Sequence, residues 1–166
     1  MNIFLTSDTF FGRELAAIDG GFSSLEEMED TIIDNWNKRV KPNDVVYHLG
    51  NFGWDPISSE SGMIHLNGKI LFIPGVYDRH IPESSLVKLG RHFMLPTITE
   101  LPKLNAVFSH WPLADWLERK NGAIHVHAGT KQENIIEGYR FCANIKNWNW
   151  APIELDFLKE FTQTTK

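Results

Sequence analysis

With 166 residues, 42% of them hydrophobic and 12% aromatic, the chain has the composition of a folded protein about one domain long, able to bury a substantial core. A formal charge of −5 and a pI near 5.8 argue against a generally basic surface for nucleic acid, and no apolar run approaches the roughly 20 residues that cross a bilayer. A lone cysteine, Cys142, excludes an internal disulfide and suits a reducing compartment; Met1 leads straight into a strand-like run with no basic leader, so a cytoplasmic protein is expected.

Residues 2–7 are rich in β-formers and predict a buried first strand, followed by a loop over 8–13 and another at Gly20-Gly21. Ser24, with Glu27 three residues on, forms a capping box. Leu25, Met28, Ile32, Ile33, Trp36 and Val40 then recur at helical spacing until Pro42-Asn43 ends the helix. Residues 44–49 predict a second strand, 59–66 a short helix and 68–73 a third strand. A short helical segment starts over 81–85, and 96–102 reads as extended edge structure. Residues 105–109 and 123–127 are further strands, separated by a Trp-rich connection over 111–120. Residues 139–145 predict a bulky closing strand, and Pro152 the first turn of a helix through Leu158. With no internal repeat, low-complexity tract or linker, residues 1–166 read as a single domain.

The polar residues gather where apolar runs end. Ile70 to Ile73 breaks into Pro74-Gly75-Val76-Tyr77-Asp78-Arg79-His80. The same grammar recurs at Thr6-Ser7-Asp8, His48-Leu49-Gly50-Asn51, Ser109-His110 and His125-Val126-His127. The carboxyl ends of strands are where α/β sheets place their sites. Together these ends resemble the calcineurin-like metallophosphoesterases, in the short single-domain form found in bacteria and bacteriophages, and the resemblance runs almost the whole chain. It implies an α/β fold, a four-layer α-β-β-α sandwich of two mixed sheets flanked by helices.

The resemblance also implies a site in which two cations about 3.5–4 Å apart hold a phosphate and make hydroxide. The family's ligands come as D-x-H, G-D, G-N-H-D, a lone histidine after a strand, and H-G-H-x-H. Here Asp8 matches the first motif, but Phe10 stands for its histidine. Asn51 replaces the bridging aspartate. In the third motif Val76 replaces the ligating asparagine, Tyr77 the acid histidine, and Asp78 matches. His110 matches its motif. His127 matches the leading histidine of the last one, whose two ligand positions carry Gly129 and Lys131. A unit charge about 4 Å from a dication repels it by roughly 8 kcal/mol at an effective dielectric near 20. Lys131 therefore opposes metal binding, and no metal cofactor is expected.

The reading that follows is a pseudoenzyme: a phosphoesterase-like protein that binds a protein partner or a phosphate or nucleotide ligand without hydrolysing it. Arg13, Tyr77, Arg79 and Lys131 are its candidate ligand-binding residues. Asp8, Asn51, Asp78, His80 and His110 are the remnant pocket. Lys131 and Arg13 are expected to pair with Asp8 or Asp78 where cations would have stood. The alternative is a weak phosphodiesterase with one Mn²⁺ or Mg²⁺ on Asp8, Asn51 and His110, assisted by Asp78, with His80 as acid. Each residue also has a plainer role: Asp8 caps its turn, Asp78 accepts the N–H groups of its own loop, and His110 is a hydrogen-bonded pocket histidine. His48, His65, His80, His92 and His125 carry no spacing signal. The six tryptophans permit an aromatic contact surface.

Overall fold

The computed structural model describes residues 1–81, 92–129 and 139–164. The first sheet is built from β1 (Ile3–Thr6), β2 (Val45–His48), β3 (Lys69–Phe72), β4 (His92–Met94) and the short β9 (Ile153–Glu154). Their order is β4-β3-β2-β1-β9, parallel except for β9, which runs antiparallel to β1. The second sheet has β5 (Ile98–Leu101), β6 (Ala106–Ser109), β7 (Ile124–His127) and β8 (Arg140–Cys142) in sequence order, with β5 antiparallel to its neighbour. The chain thus has two mixed sheets in an α/β arrangement.

Alternation along the strands decides what each sheet face buries. Phe4, Val46, Ile70 and Phe72 turn toward a core filled by α1 (Glu14–Gly20), α2 (Leu25–Arg39) and α3 (Pro56–His65), through Ala17, Met28, Ile32, Trp36 and Met63. Leu5 and Tyr47 turn the other way, onto Phe108, Ile124, Val126 and Phe141 of the second sheet. The carboxyl-terminal helix α4 (Leu155–Thr164) closes this second core with Leu155 and Leu158. Among the described residues no helix is long and apolar enough to cross a membrane.

The α2 boundary lies where the capping box put it. The Ser24 side chain accepts the Glu27 N–H at 3.1 Å, and the Glu27 carboxylate accepts the Ser23 N–H at 2.8 Å. Ser24→Ala is expected to cost about 1 kcal/mol in chemical denaturation. A change below the error of that experiment would mean that the packed face alone sets where the helix starts.

Four expectations need correction. The loop expected at Gly20-Gly21 begins only at Gly21 (φ +81), because Gly20 is the last residue of the helix α1, and no element was expected over 14–19. The helix expected over 59–66 starts earlier, at Pro56, because Asp55 caps it by accepting the Ser58 N–H. The strand expected over 139–145 stops at Cys142; the Asn144 side chain accepts the Lys146 N–H and turns the chain into a 3-10 helix over Ile145–Trp148. Pro152 does not open a helix, because Ile153 and Glu154 pair with β1 and α4 begins only at Leu155. Most of the helical segment expected over 81–85 lies outside the described residues.

Candidate functional site

The pairing of β1 with β2 continues past the strands and fixes the loops that follow. Asp8, Phe10 and Phe11 donate their backbone N–H groups to the carbonyls of Gly50, Asn51 and Phe52 in turn. Asp8, Phe10 and Asn51 all take left-handed backbone conformations (φ +59, +49 and +58), which lets the two loops run side by side. On the other flank Ser7 exchanges backbone hydrogen bonds with Ala143 and Ile145, joining the end of β1 to the end of the second sheet. The carboxyl ends of β1, β2, β3, β6 and β7 are thereby brought together.

Asp8, Asn51, Asp78 and His110 are all buried there. Asp8 Oδ1 accepts the Asn51 side-chain amide at 2.8 Å, and Oδ2 accepts the Ser7 hydroxyl at 2.7 Å and the Gly129 N–H at 3.3 Å. Burial raises the Asp8 pKa above its ordinary value, although these donors and nearby His110 pull it down. Asp78 Oδ2 accepts the N–H groups of Asn51 and Gly75, both at 2.7 Å, and Oδ1 accepts that of Phe52 at 2.8 Å. The Asn51 side-chain Oδ1 accepts the Tyr77 N–H at 3.3 Å. His110 Nδ1 lies 2.7 Å from the Leu49 carbonyl and donates to it. Every carboxylate oxygen in the cluster therefore already faces at least one N–H or O–H donor. Among the described residues no three His, Cys, Asp or Glu side chains form a group that could hold a metal ion.

Glycines make this closeness possible. A Cβ on Gly75 would lie 2.6 Å from Asn51 Oδ1 and 2.7 Å from His110 Cε1. One on Gly50, at φ +105, would lie 2.5 Å from His110 Nδ1 and 2.6 Å from the Gly75 nitrogen. At Gly129 the obstacle is Cys142 Sγ, 2.5 Å away, so in this backbone no imidazole fits at that position.

Arg13 does not pair with Asp8 or Asp78, contrary to expectation. Its guanidinium carbon sits 4.7 Å from the centroid of Phe10, 4.9 Å from that of Trp54 and 5.2 Å from that of Tyr77. Phe10 and Tyr77 meet edge to face at 5.7 Å, and Trp54 and Tyr77 lie tilted at 40° with centroids 5.4 Å apart. Three loops thus contribute one ring each to a cage around one cation. Phe10, which stands for the family's histidine, is one wall of this cage, and sequence reasoning missed Trp54 altogether. Only its place, three residues beyond Asn51 in a strand-end loop, hinted at it. Arg79 is exposed and has no hydrogen bond or ion pair among the described residues. The His80 side chain and all of Lys131 lie outside the described residues.

Two histidines without a spacing signal turn out to be wholly buried. His48 Nδ1 accepts the Gly50 N–H at 3.3 Å, so Nε2 carries the proton and donates to the Thr9 hydroxyl at 3.0 Å. Burial, reinforced by His110, lowers its pKa to about 3. His125 Nδ1 donates to the Val107 carbonyl at 3.1 Å and Nε2 accepts the Leu113 N–H at 3.1 Å. Burial is the main cause of a His125 pKa of about 4.

No family model matches the sequence. The chain is 27% identical to an uncharacterized protein of Methanocaldococcus jannaschii over an alignment of 177 residues, spanning 99% of this chain and 93% of that protein. The crystal structure of a protein of unknown function from Aquifex aeolicus matches with a TM-score of 0.69 at 21% identity, over 96% of this chain and 98% of that one. The chain shares its fold with that structure along nearly its whole length.

Proposed function

We propose that this protein is a metallophosphoesterase-like pseudoenzyme: a cytoplasmic, single-domain member of the four-layer α-β-β-α type that binds a phosphate-bearing ligand or a protein partner and does not hydrolyse it. Two facing sheets, with helices on the outer face of the first, support the layered part of the reading. The observation that carries the functional part is the filled hydrogen-bonding capacity of the strand-end cluster. The Asn51 amide points its N–H at Asp8, where a cation would need oxygen lone pairs, and Asp78 already serves three backbone donors. A dication entering this cluster would have to break those bonds and would meet a hydrogen where it needs a lone pair. The residues present therefore do not fit a pair of divalent ions.

The test is metal content of the protein purified without chelator, together with turnover of an aryl phosphodiester in excess Mn²⁺. Neither stoichiometric metal nor turnover is expected. Stoichiometric Mn²⁺, with turnover abolished by Asp8→Ala, would replace this reading by that of a single-metal phosphodiesterase.

A further inference from the structure

We propose that Arg13 is an oxyanion-recognition residue, and that the surface around it takes a phosphate monoester carried on a flat aromatic body, such as a nucleoside monophosphate or an aryl phosphate. This inference rests on the ligand-binding form of the function proposed above, and it names the site and the ligand class.

The argument begins with a charge held in place but not neutralised. Phe10, Trp54 and Tyr77 come from the loops after β1, β2 and β3, and all three rings lie within 5.2 Å of the guanidinium carbon, centroid to carbon. Because the first two loops are bonded to each other through the backbone, and the third to the second through the side chains of Asn51 and Asp78, the guanidinium is positioned before any ligand arrives. Rings attract a cation through their quadrupole but offer no oxygen lone pair. Among the described residues no oxygen accepts a hydrogen bond from the Arg13 side chain, and its Nε is buried without a partner. A cation stripped of part of its water, and left without a counter-ion, gains most from a group that brings oxygens and negative charge together. A phosphate or carboxylate does so, with a guanidinium fork able to pair with two of its oxygens.

The surroundings narrow the choice. Trp54, Tyr77 and Trp111 are 47%, 40% and 57% exposed, and all stand at these strand ends. Faces of that kind stack against flat apolar bodies. The neighbouring carboxylates present little opposition: the oxygens of Asp8 and Asp78 are turned into hydrogen bonds. An oxyanion joined to a ring answers both halves of the site, and a phosphate answers a lone cation with more charge than a carboxylate does.

The experiment titrates the intact protein with AMP, phenyl phosphate, inorganic phosphate, adenosine and benzoate, reading thermal shifts and calorimetric affinity. AMP and phenyl phosphate should each raise Tm by about 3–6 °C at a tenfold excess over Kd. Arg13→Gln should weaken both at least tenfold and Arg13→Lys less so, while Trp54→Ala should weaken them severalfold. Inorganic phosphate and adenosine alone should bind far more weakly than AMP. Should Arg13→Gln fail to fold, the ¹⁵N resonance of the Arg13 side-chain Nε–H in the unaltered protein supplies the same test, since it must move on titration with phenyl phosphate. Absence of binding by both aromatic phosphates at millimolar concentration would overturn the proposal, as would an unmoved Nε–H, an unchanged affinity in Arg13→Gln, or benzoate binding as tightly as phenyl phosphate. Release of phenol or adenosine from the same samples, lost on metal removal, would sink the pseudoenzyme reading while leaving Arg13-dependent binding in place.

Discussion

Asp78→Ala is expected to lower stability by about 3–6 kcal/mol, a large share of the roughly 5–15 kcal/mol that holds a typical domain folded. The three N–H groups that the carboxylate accepts belong to two loops: Asn51 and Phe52 follow β2, and Gly75 follows β3. Truncation orphans all three at once, and each buried orphan costs about 1–3 kcal/mol less whatever an entering water restores. The comparison with the Ser24 cap decides the ranking. That cap serves an exposed helix end, where water replaces the lost acceptor, whereas Asp78 is buried. Asp78→Asn keeps the shape but sets an amide N–H against a backbone N–H, so an intermediate loss is expected. Guanidinium denaturation at neutral pH measures both variants, and a loss under 1 kcal/mol for Asp78→Ala would show that the loops are held without it.

What could be read from the chain beforehand divides along the range of the forces involved. The helix α2 was legible because its cap and its apolar face are set within a few residues. The strands ending at Thr6, His48, Phe72, Ser109 and His127 were legible because buried strands are short apolar runs broken by polar loops. The helix α1 was hidden: it has seven residues, no side-chain cap at Arg13, and only Ala16 and Ala17 buried. Nothing local at Ile153 announces a strand either, since that strand exists through its pairing with β1, some 150 residues earlier. The same division runs through the site. Residue types at the strand ends could be named, yet Asn51 meets Asp8 across 43 positions, and the cage around Arg13 draws on three separate loops. Expecting Arg13 to seek a carboxylate was sound charge reasoning. It failed because the carboxylates already had neutral donors, which leave no vacancy for a guanidinium.

Acidification from pH 7 to pH 5 is expected to remove about 4 kcal/mol of stability through His48 and His125. Unfolded, both imidazoles titrate near 6.5; folded, they stay neutral down to about 3 and about 4. At pH 5 the unfolded chain binds both protons and the folded chain neither. The stability is therefore complete above pH 6.5 and drains away as the pH falls toward the folded values, by about 1.4 kcal/mol per unit per group. The hydrogen bonds give the same direction independently. Protonating His48 Nδ1 would aim its new N–H at that of Gly50, and protonating His125 Nε2 would aim one at that of Leu113. Neighbouring charge adds to the penalty: His110 acts on His48, and His127 and Arg140 act on His125. Asp8 works with the opposite sign, because its folded pKa is raised, and so offsets part of the loss at the acid end. Urea denaturation at several pH values reads the slope directly. His48→Asn should lower stability at pH 7 by removing the Thr9 bond, yet flatten the acid slope by about half, a signature that loss of packing alone does not produce. Equal midpoints at pH 7 and pH 5 in the unaltered protein would mean that both imidazoles reach water in the native state.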